Sequence, residues 1–564
     1  MENKTTNFIY SNRWLLSLLL LFFLIYLLPL GVRPLAVPDE MRYGEIAREL
    51  LQSNDWVVPH LNGLRYFEKP MLGHALNALG LLTFGENAFG VRIASALSVG
   101  ISALALFFLV RQERDEKTAF LASFFFLTMA EVMGVGTVSV LDSMVSMFIT
   151  LSLCAFYFAQ KTTGRKEVGW LAATGACAGL AFLVKGFIAF AVPVVVIIPF
   201  LLWQKQGKRL FTLPWIPLIF ALLVALPWSL AIAAKEPDFW HYFFWEEHIR
   251  RFFSQTHAQH DQPFWYFIPI FLLGAMPWIL IAPLPLRQLF RPSQNHSAPL
   301  IRFAWVWVWA PFLFFSLSAG KLGTYILPCF PPLAILLALG WRACFEKREH
   351  ATPLQNALWI FTAMVLLASI VLLVFGGLEW LGVLPQIDTH FLKKFILATL
   401  GFSTSLILLY FGLSTADSFR KTLFLGLSAL SIFISVSVSI PSKMTTSVGL
   451  YDFLLENKKE ITSADLLIGD PKTTHAICFV FKRDDLYIFR HKGEFKYGLS
   501  YPESKDRYLE LESLQKLIQN RQNKRLVLLI KSAPDDRRRA QLPAPDHQVQ
   551  WLNIWLAVYE PHTP

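Results

Sequence analysis

The chain has 564 residues, of which 54% are hydrophobic and 16% are charged, and its mean hydropathy is +0.45. Soluble globular domains carry about 25% charged residues, so this composition excludes an ordinary soluble protein. The formal net charge is +11. It does not indicate nucleic-acid binding, because the basic residues are concentrated in alternate short loops between apolar runs.

Apolar runs of about 20 residues, the length that crosses the hydrocarbon core of a bilayer, recur along most of the chain. We expect about thirteen of them to be transmembrane helices. The predicted spans are 14–31, 91–110, 118–134, 140–159, 168–184, 186–203, 211–234, 264–286, 300–318, 324–345, 354–376, 392–413 and 419–440. The run near 72–90 predicts a short or interfacial helix. The first run is too long for a signal peptide and lacks a clear cleavage site, so it is expected to be retained.

Lysine and arginine residues between the spans alternate from loop to loop. One set of short loops holds most of them: Arg111, Arg114, Lys117, Lys161, Arg165, Lys166, Lys205, Lys208, Arg209, Arg287, Arg291, Arg302, Arg342, Lys347 and Arg348. The short loops of the other set hold Lys321 alone. Basic loops stay in the cytoplasm, so the N-terminus is predicted inside and the C-terminus outside.

With this topology, four polar segments share the outer face: 39–69, 134–142, 235–262 and 319–325. Their coincidence indicates one extracytoplasmic site at the membrane surface.

The first outer loop begins with an acid pair and an arginine, since residues 38–43 read PDEMRY. Asp39 and Glu40 are candidates for an acid–base or electrostatic site, and Arg42 is a candidate to face a phosphate. The alternatives are structural. A helix N-terminus favours a carboxylate such as Asp39, the acid pair can form structural ion pairs, and Arg42 fits an amphipathic interfacial helix over 41–51.

The same loop continues with residues 66–70, which read YFEKP. Lys69 carries a point charge that suits a phosphate, although such a side chain also snorkels to lipid headgroups. Asp142 lies at the outer end of a predicted span, where an ionisable group is costly and is a functional candidate by default. The alternative for Asp142 is a salt bridge to a basic residue on the outer side.

Residues 245–252 read WEEHIRRF and combine acids, a histidine and two arginines. Glu247 and Arg251 have the i, i+4 spacing of an ordinary pair on a helix surface. His257 and His260 follow, but the spacing of the histidines matches no recognised zinc pattern. The segment is therefore a candidate binding region with a weak indication of a metal.

Residues 321–325 read KLGTY, in which the glycine permits an unusual turn. Tyr325 suits either the site or the aromatic belt at the membrane surface. The chain contains no Walker loop and no glycine-rich nucleotide cradle. Soluble nucleotide donors are scarce outside the cytoplasmic membrane, so a transferase on the outer face must take its activated group from a donor in the membrane.

The composition changes after about residue 441, where charged residues become more frequent. Short runs rich in β-branched and aromatic residues predict strands at 465–468, 476–481, 486–489, 526–530 and 554–559. Residues 509–518 have helical spacing. We therefore expect a transmembrane domain over 1–445 and a small α/β domain over 446–564 on the outer face. The five cysteines have neither disulfide nor metal spacing.

These motifs resemble those of the lipid-linked glycosyltransferases of the protein O-mannosyltransferase superfamily, and among them the aminoarabinose transferases that modify bacterial lipid A. The resemblance covers essentially the whole chain. Its most specific parts are 38–49 and 66–70, and it is strengthened by 247–252 and 321–328. It implies a GT-C fold, with many spans, interfacial helices under the first outer loop and a soluble outer domain.

In that family the donor is a sugar carried on undecaprenyl phosphate, and the resemblance implies roles for particular residues. The candidate catalytic acids are Asp39, Glu40 and Asp142. The candidate substrate-binding residues are Arg42, Tyr66, Lys69, Arg250, Arg251, Lys321 and Tyr325. Glu68 and His248, or in place of His248 either His257 or His260, resemble positions that can hold a divalent metal such as zinc. No cofactor is expected to be required.

The resemblance implies transfer of 4-amino-4-deoxy-L-arabinose to a lipid A phosphate on the periplasmic face of the bacterial inner membrane, giving resistance to cationic peptides such as polymyxin. The expected partners are the lipid-linked donor, lipid A and membrane lipids. Three alternatives remain: a polyprenyl-phosphate-sugar transferase acting on protein or another glycan, a lipid-linked sugar transporter, and a receptor-like scaffold. An ionised lipid A phosphate needs little help from a base, so with this acceptor Asp39 is expected to position the acceptor or to contact the amino group of the sugar. A hydroxyl acceptor would instead make Asp39 the general base.

Overall fold

The computed structural model describes residues 2–250, 262–289, 298–345, 351–383, 391–440, 446–537 and 539–561. Up to residue 440 the described chain is almost entirely helical. Its helices are Glu2–Phe22, Phe23–Leu27, Asp39–Ser53, Met71–Phe84, Ala88–Glu113, Glu116–Leu127, Ala130–Gly136, Leu141–Ala159, Arg165–Lys185, Ile188–Trp203, Arg209–Thr212, Trp215–Lys235, His241–Arg250, Phe264–Tyr266, Phe267–Gly274, Trp278–Leu280, Pro283–Gln288, Ala298–Leu317, Gly323–Cys329, Phe330–Phe345, Ala351–Trp380, Phe391–Ser414 and Ser418–Ser439.

The predicted multi-pass helical fold is confirmed. Among the described residues, nine helices are long and apolar enough to cross a bilayer, and a bent pair of helices makes a tenth. The remaining three predicted spans coincide with shorter apolar helices, at Asn12–Leu27, Ile188–Trp203 and Phe264–Gly274. The run near 72–90 forms the short helix Met71–Phe84, as its length predicts.

The predicted span 118–134 is not one straight helix. It consists of Glu116–Leu127 and Ala130–Gly136, which meet at an angle of 68°. Contacts from a distant segment stabilise the break, because the Trp278 indole donates to Thr128 Oγ1 at 3.0 Å and the Ala130 amide donates to the Met276 carbonyl at 3.1 Å. The axis of the second helix therefore points in a different direction from that of the first.

The helices of the membrane part pack around a large apolar core, and small residues let some of them approach closely. A Cβ added to Gly175 would lie 2.0 Å from the Pro217 carbonyl oxygen, so the helices Arg165–Lys185 and Trp215–Lys235 meet backbone to backbone. Such small-residue contacts are a common way to pack helices in lipid, where the hydrophobic effect does not drive association.

The helix Asp39–Ser53, which we call the first-loop helix, is the predicted amphipathic helix. Its polar face is not directed at lipid headgroups. Glu45, Arg48 and Glu49 are buried, Arg48 donates to Glu45 at 2.7 Å, and Glu49 accepts the amide hydrogen of Asn62 at 2.5 Å. The helix packs against the C-terminal domain, which contributes Phe479 to the contact at Gly44. The amphipathic pattern thus reflects a contact between domains.

After residue 445 the described chain forms the predicted α/β domain. A six-stranded sheet has the order Tyr508–Leu509, Tyr487–Phe489, Leu466–Gly469, Leu526–Lys531, Ile554–Tyr559 and His547–Trp551. The first four strands are parallel to one another, and the last two pair antiparallel. The domain also contains the helices Thr446–Glu456, Lys458–Thr462, Pro471–Phe481 and Leu511–Gln519, and the short helices Gly493–Phe495, Gly498–Ser500, Pro502–Arg507 and Arg539–Gln541.

One strand prediction is wrong. Residues 476–481 belong to the helix Pro471–Phe481. The helix begins with a capping box, in which Asp470 accepts the amide hydrogens of Lys472 and Thr473, and with a proline in its first turn. Its β-branched and aromatic residues are buried against other elements, which outweighs their preference for strands. The boundary predicted at 445/446 falls beside residues 441–445, outside the described residues, and stays a prediction.

Candidate active site

A cavity of about 870 Å³ lies between the first outer loop, the membrane part and the C-terminal domain. Charged and aromatic side chains from all three regions line it: Asp39, Arg42, Tyr43, Tyr66, Glu68, Lys69, Glu131, Asp142, Lys185, Tyr325, Lys472, His475, His491, Glu494 and Lys531. Seven of the residues proposed from the sequence are therefore in one place. They are Asp39, Arg42, Tyr66, Glu68, Lys69, Asp142 and Tyr325.

Arg42 is at the centre of a chain of ionic contacts across the cavity wall. Its guanidinium donates to Asp39 Oδ1 at 2.5 Å and to Glu494 Oε2 at 3.0 Å, and it stacks over the ring of Tyr43 at 4.8 Å. The other oxygen of Glu494 is 2.7 Å from Nε2 of His475. The first-loop helix is thereby joined to the C-terminal domain, and Arg42 is fixed in orientation.

Glu494 is ionised in this arrangement. Burial alone would raise the pKa of its carboxyl group, but the positive charge of Arg42 and the contact with His475 outweigh burial and lower the pKa to about 2. The side chain of Asp39, in contrast to that of Glu494, is 55% exposed. It stands at the first turn of the first-loop helix, where the helix dipole favours a negative charge.

Lys69 and Glu68 occupy the end of the first outer loop, immediately before the helix Met71–Phe84. Pro70 has extended backbone geometry, so the helix begins directly after it. The ammonium group of Lys69 donates to the backbone carbonyl of Glu68 at 2.8 Å, and the buried Tyr66 hydroxyl is 3.5 Å from the Glu68 carboxylate. The loop thus presents a lysine and a carboxylate to the cavity.

Asp142 forms a salt bridge, which is the structural alternative to a functional role that the sequence leaves open for this residue. Its carboxylate accepts from the Lys185 ammonium at 2.5 Å, and that ammonium also lies 4.7 Å from the centre of the Tyr325 ring. Lys185 is the last residue of its helix, before Gly186 with a φ of +86°. The sequence marks Lys185 only as a break between two spans. The feature of the sequence that could have identified Lys185 as a site residue is its position at the outer end of a predicted span.

Glu40 does not line the cavity, and its position does not fit the predicted catalytic role. Its side chain is 1% exposed and accepts from Arg92 at 2.6 and 2.8 Å, from Arg33 at 3.1 Å and from the amide of Ser139 at 3.0 Å. With its oxygens occupied in this way, Glu40 fastens the start of the first-loop helix to the span Ala88–Glu113 and the turn before Asp142.

Lys321 is also absent from the cavity lining, although it was proposed to bind substrate. Its side chain is 3% exposed and its ammonium donates to the backbone carbonyls of Gln262 at 2.7 Å and Ser318 at 2.5 Å. These contacts join two segments of the outer face and hold the turn that leads to Tyr325.

The remaining proposed residues lie outside the part of the chain whose side chains are described. This applies to Arg250, Arg251 and the three candidate metal-binding histidines, His248, His257 and His260. Among the described residues, no group of three or more histidine, cysteine or acidic side chains has the arrangement of a metal site. Glu68, the proposed acidic ligand, lines the cavity.

The C-terminal domain contributes basic residues that the sequence did not identify. Lys472 and His475 line the cavity from the helix Pro471–Phe481, Lys531 from the end of the strand Leu526–Lys531, and His491 from a loop. They are separated from the first outer loop by more than 400 positions, and none of them belongs to a local motif. The available signal was compositional, since charged residues become more frequent after about residue 441.

Two family models match the chain. The model for dolichyl-phosphate-mannose-protein mannosyltransferase matches residues 12–243, and the model for the C-terminal domain of the arabinosyl transferase ArnT matches residues 451–558. The fold is similar to the crystal structure of ArnT from Cupriavidus metallidurans bound to undecaprenyl phosphate, with a TM-score of 0.80 and 20% identity, covering 98% of this chain and 100% of that chain.

Curated relatives are similar over nearly their full lengths. The undecaprenyl phosphate-alpha-4-amino-4-deoxy-L-arabinose arabinosyl transferase of Shewanella sediminis is 38% identical over 544 residues, which cover 96% of this chain and 97% of the relative. The protein of the same name from Erwinia tasmaniensis is 38% identical over 562 residues, which cover 98% of this chain and 100% of the relative. The protein is therefore a multi-pass membrane glycosyltransferase with a GT-C fold, and the chain belongs to the family of undecaprenyl phosphate-aminoarabinose arabinosyl transferases.

Proposed function

We propose that the protein transfers 4-amino-4-deoxy-L-arabinose from undecaprenyl phosphate to a phosphate of lipid A on the periplasmic face of the bacterial inner membrane. The names of the full-length relatives support this donor. The observation that carries the proposal is the cavity, in which Arg42, Lys69 and Lys185 are brought together with Asp39 and Asp142. A cationic sugar on lipid A reduces its negative charge, which gives resistance to cationic peptides such as polymyxin.

The distribution of basic residues between the spans supports a periplasmic location, because it predicts that the first outer loop lies outside the cytoplasm. The C-terminal domain packs on that loop through the first-loop helix, and both line the same cavity. A donor whose lipid chain stays in the bilayer can reach a cavity at this level, and the acceptor can approach from the same leaflet.

The chemistry that the cavity supports is a single displacement at the anomeric carbon of the sugar. An oxygen of the acceptor phosphate forms the new bond as the bond to the undecaprenyl phosphate oxygen breaks, and the departing phosphate takes the electron pair. We expect Arg42 and Lys69 to stabilise the charge on that phosphate, because both line the cavity and such fixed electrostatic groups are usually the largest catalytic contribution. Asp39 and Glu494 hold Arg42 in place before substrate binds.

Asp39→Asn is expected to keep measurable transfer to lipid A. A phosphate monoester is largely ionised at pH 7, because its second pKa is about 6, so attack needs no general base. The loss should be no more than about tenfold, since the Asp39 carboxylate is 55% exposed and an ion pair with so exposed a partner contributes ~1 kcal/mol or less. A hydroxyl acceptor would need a base, and the same variant would then lose about 10²- to 10⁴-fold.

The measurement is transfer from purified undecaprenyl-phosphate aminoarabinose, with lipid A and with serine- and threonine-containing peptides as separate acceptors. The wild-type protein and Asp39→Asn are compared at saturating donor. Transfer to peptides but not to lipid A would show that the acceptor is a protein, which is the alternative within the same enzyme class.

The family resemblance further predicts a divalent metal such as zinc at Glu68 and His248, and this stays a prediction. Glu68 supplies a carboxylate in the cavity, which suits a hard or borderline cation. If the metal binds there, the purified protein should contain close to one zinc per chain and Glu68→Gln clearly less, as determined by elemental analysis. An equal zinc content in the two proteins would contradict this site.

A further inference from the structure

Glu131 is a cavity-lining carboxylate that no step of the proposed reaction uses. It lies in the first turn of Ala130–Gly136, the short helix that follows the 68° bend. Its stem is closely packed, because a Cβ added to Gly274 would lie 2.8 Å from the Cβ of Glu131. The bend therefore places the side chain of Glu131 in the wall of the cavity.

The carboxylate of Glu131 has no hydrogen-bond or ion-pair partner among the residues that the structure describes. The charge that acts on it is that of Asp142, which has the same sign. Asp142 itself is paired with Lys185 at 2.5 Å. The side chain of Glu131 is partly buried, and a partly buried carboxylate without compensation costs free energy. A cation that enters the cavity would compensate this carboxylate.

Three other acids of the described lining have partners of opposite charge. Asp39 and Glu494 both pair with Arg42, and Asp142 pairs with Lys185. Asp39 is therefore already engaged with a cation of the protein, whereas Glu131 is available to a cation of the substrate.

We propose that Glu131 binds the ammonium group of the donor sugar and selects aminosugar donors over neutral ones. The inference rests on the proposed function, which supplies a donor with one phosphate and one primary amine. A primary aliphatic amine is largely protonated at pH 7. Binding of the ammonium group compensates Glu131 and orients the sugar ring, while Arg42 and Lys69 hold the phosphate. A neutral sugar in the same position leaves the carboxylate without a partner.

The test compares wild type and Glu131→Gln on two donors, undecaprenyl-phosphate aminoarabinose and the same compound with its amine acetylated. The wild type is expected to prefer the free amine. Glu131→Gln should lose about 10- to 100-fold in kcat/KM on the free amine, the range for a hydrogen bond between charged groups, and lose little on the acetylated donor. The preference for the free amine over the acetylated donor should therefore be largely lost in Glu131→Gln. Glu131→Asp should retain part of the preference, because the charge is kept.

Glu512→Gln is the matched control, since Glu512 is an exposed acid on the helix Leu511–Gln519, outside the cavity lining. An equal loss on both donors in Glu131→Gln, or no loss on either, would overturn the proposal. Should Glu131→Gln fail to accumulate, equal use of the two donors by the wild type would overturn it as well. Failure of the proposed function is a separate result, because the wild type would then transfer neither aminosugar to lipid A.

Discussion

Lys69→Ala is expected to abolish most of the transfer while leaving the protein inserted and folded. Lys69 lines the cavity at the end of the first outer loop, and its ammonium is held by the Glu68 carbonyl at 2.8 Å. Removing one fixed donor from a site that stabilises developing negative charge typically costs about 10²- to 10³-fold in kcat. A lysine that only reached lipid headgroups would cost little.

The measurement is the turnover of purified protein with undecaprenyl-phosphate aminoarabinose and lipid A, together with the amount of protein recovered from the membrane. Lys505→Ala is the matched control, because Lys505 is an exposed lysine of the C-terminal domain that does not line the cavity. Normal turnover by Lys69→Ala, or a loss equal to that of the control, would assign Lys69 to a surface role.

The sequence predicts the helical membrane fold well, because span length and hydropathy are local properties. It fails where a distant contact decides the backbone. The span 118–134 is broken by the contacts of Thr128 with Trp278 and of Ala130 with Met276, which are about 150 positions apart in the chain. Likewise, the strand prediction at 476–481 fails because the Asp470 capping box and burial override local propensity.

The same distinction between local sequence properties and distant contacts applies to the candidate site. The acid and basic residues of the first outer loop are close in sequence, so a local motif identifies Asp39, Arg42 and Lys69. The ion-pair partner of each of these charged residues, however, is not determined by its neighbours in the sequence. Glu40 is directed to Arg92, and Arg42 to Glu494, over separations of 52 and 452 positions. The sequence therefore predicts which residue types form the site, whereas only the fold separates the cavity-lining Asp39 from the structural Glu40.

Arg42→Gln is expected to lose transfer and also to change how stability depends on pH. Arg42 faces the proposed leaving phosphate, so the loss in kcat should again be about 10²- to 10³-fold. In the wild type, burial acts to raise the pKa of Glu494, but Arg42 and His475 lower it to about 2. This pKa is below the ordinary carboxyl value of about 4.3. The ion pair therefore stabilises the fold above about pH 4 and loses that contribution as the pH falls toward 2.

Without the charge of Arg42, the pKa of Glu494 in the folded protein moves back toward its unfolded value. The variant should thus melt at a lower temperature at pH 7, and its melting temperature should fall less steeply between about pH 4 and pH 2 than that of the wild type. Thermal unfolding of the two proteins in the same detergent across this range measures the difference. An unchanged slope would mean that Arg42 does not set the pKa of Glu494.

Arg65→Gln separates the two effects of Arg42. Arg65 also joins the first outer loop to the C-terminal domain, through Glu503 at 2.6 Å, and to the end of the helix Trp215–Lys235 through Glu236 at 2.7 Å, but it does not line the cavity. It should lower the melting temperature and leave most of the transfer intact. If Arg65→Gln lost transfer as fully as Arg42→Gln, the contact between the domains would control activity, and a direct role of Arg42 at the phosphate would no longer be needed to explain the loss.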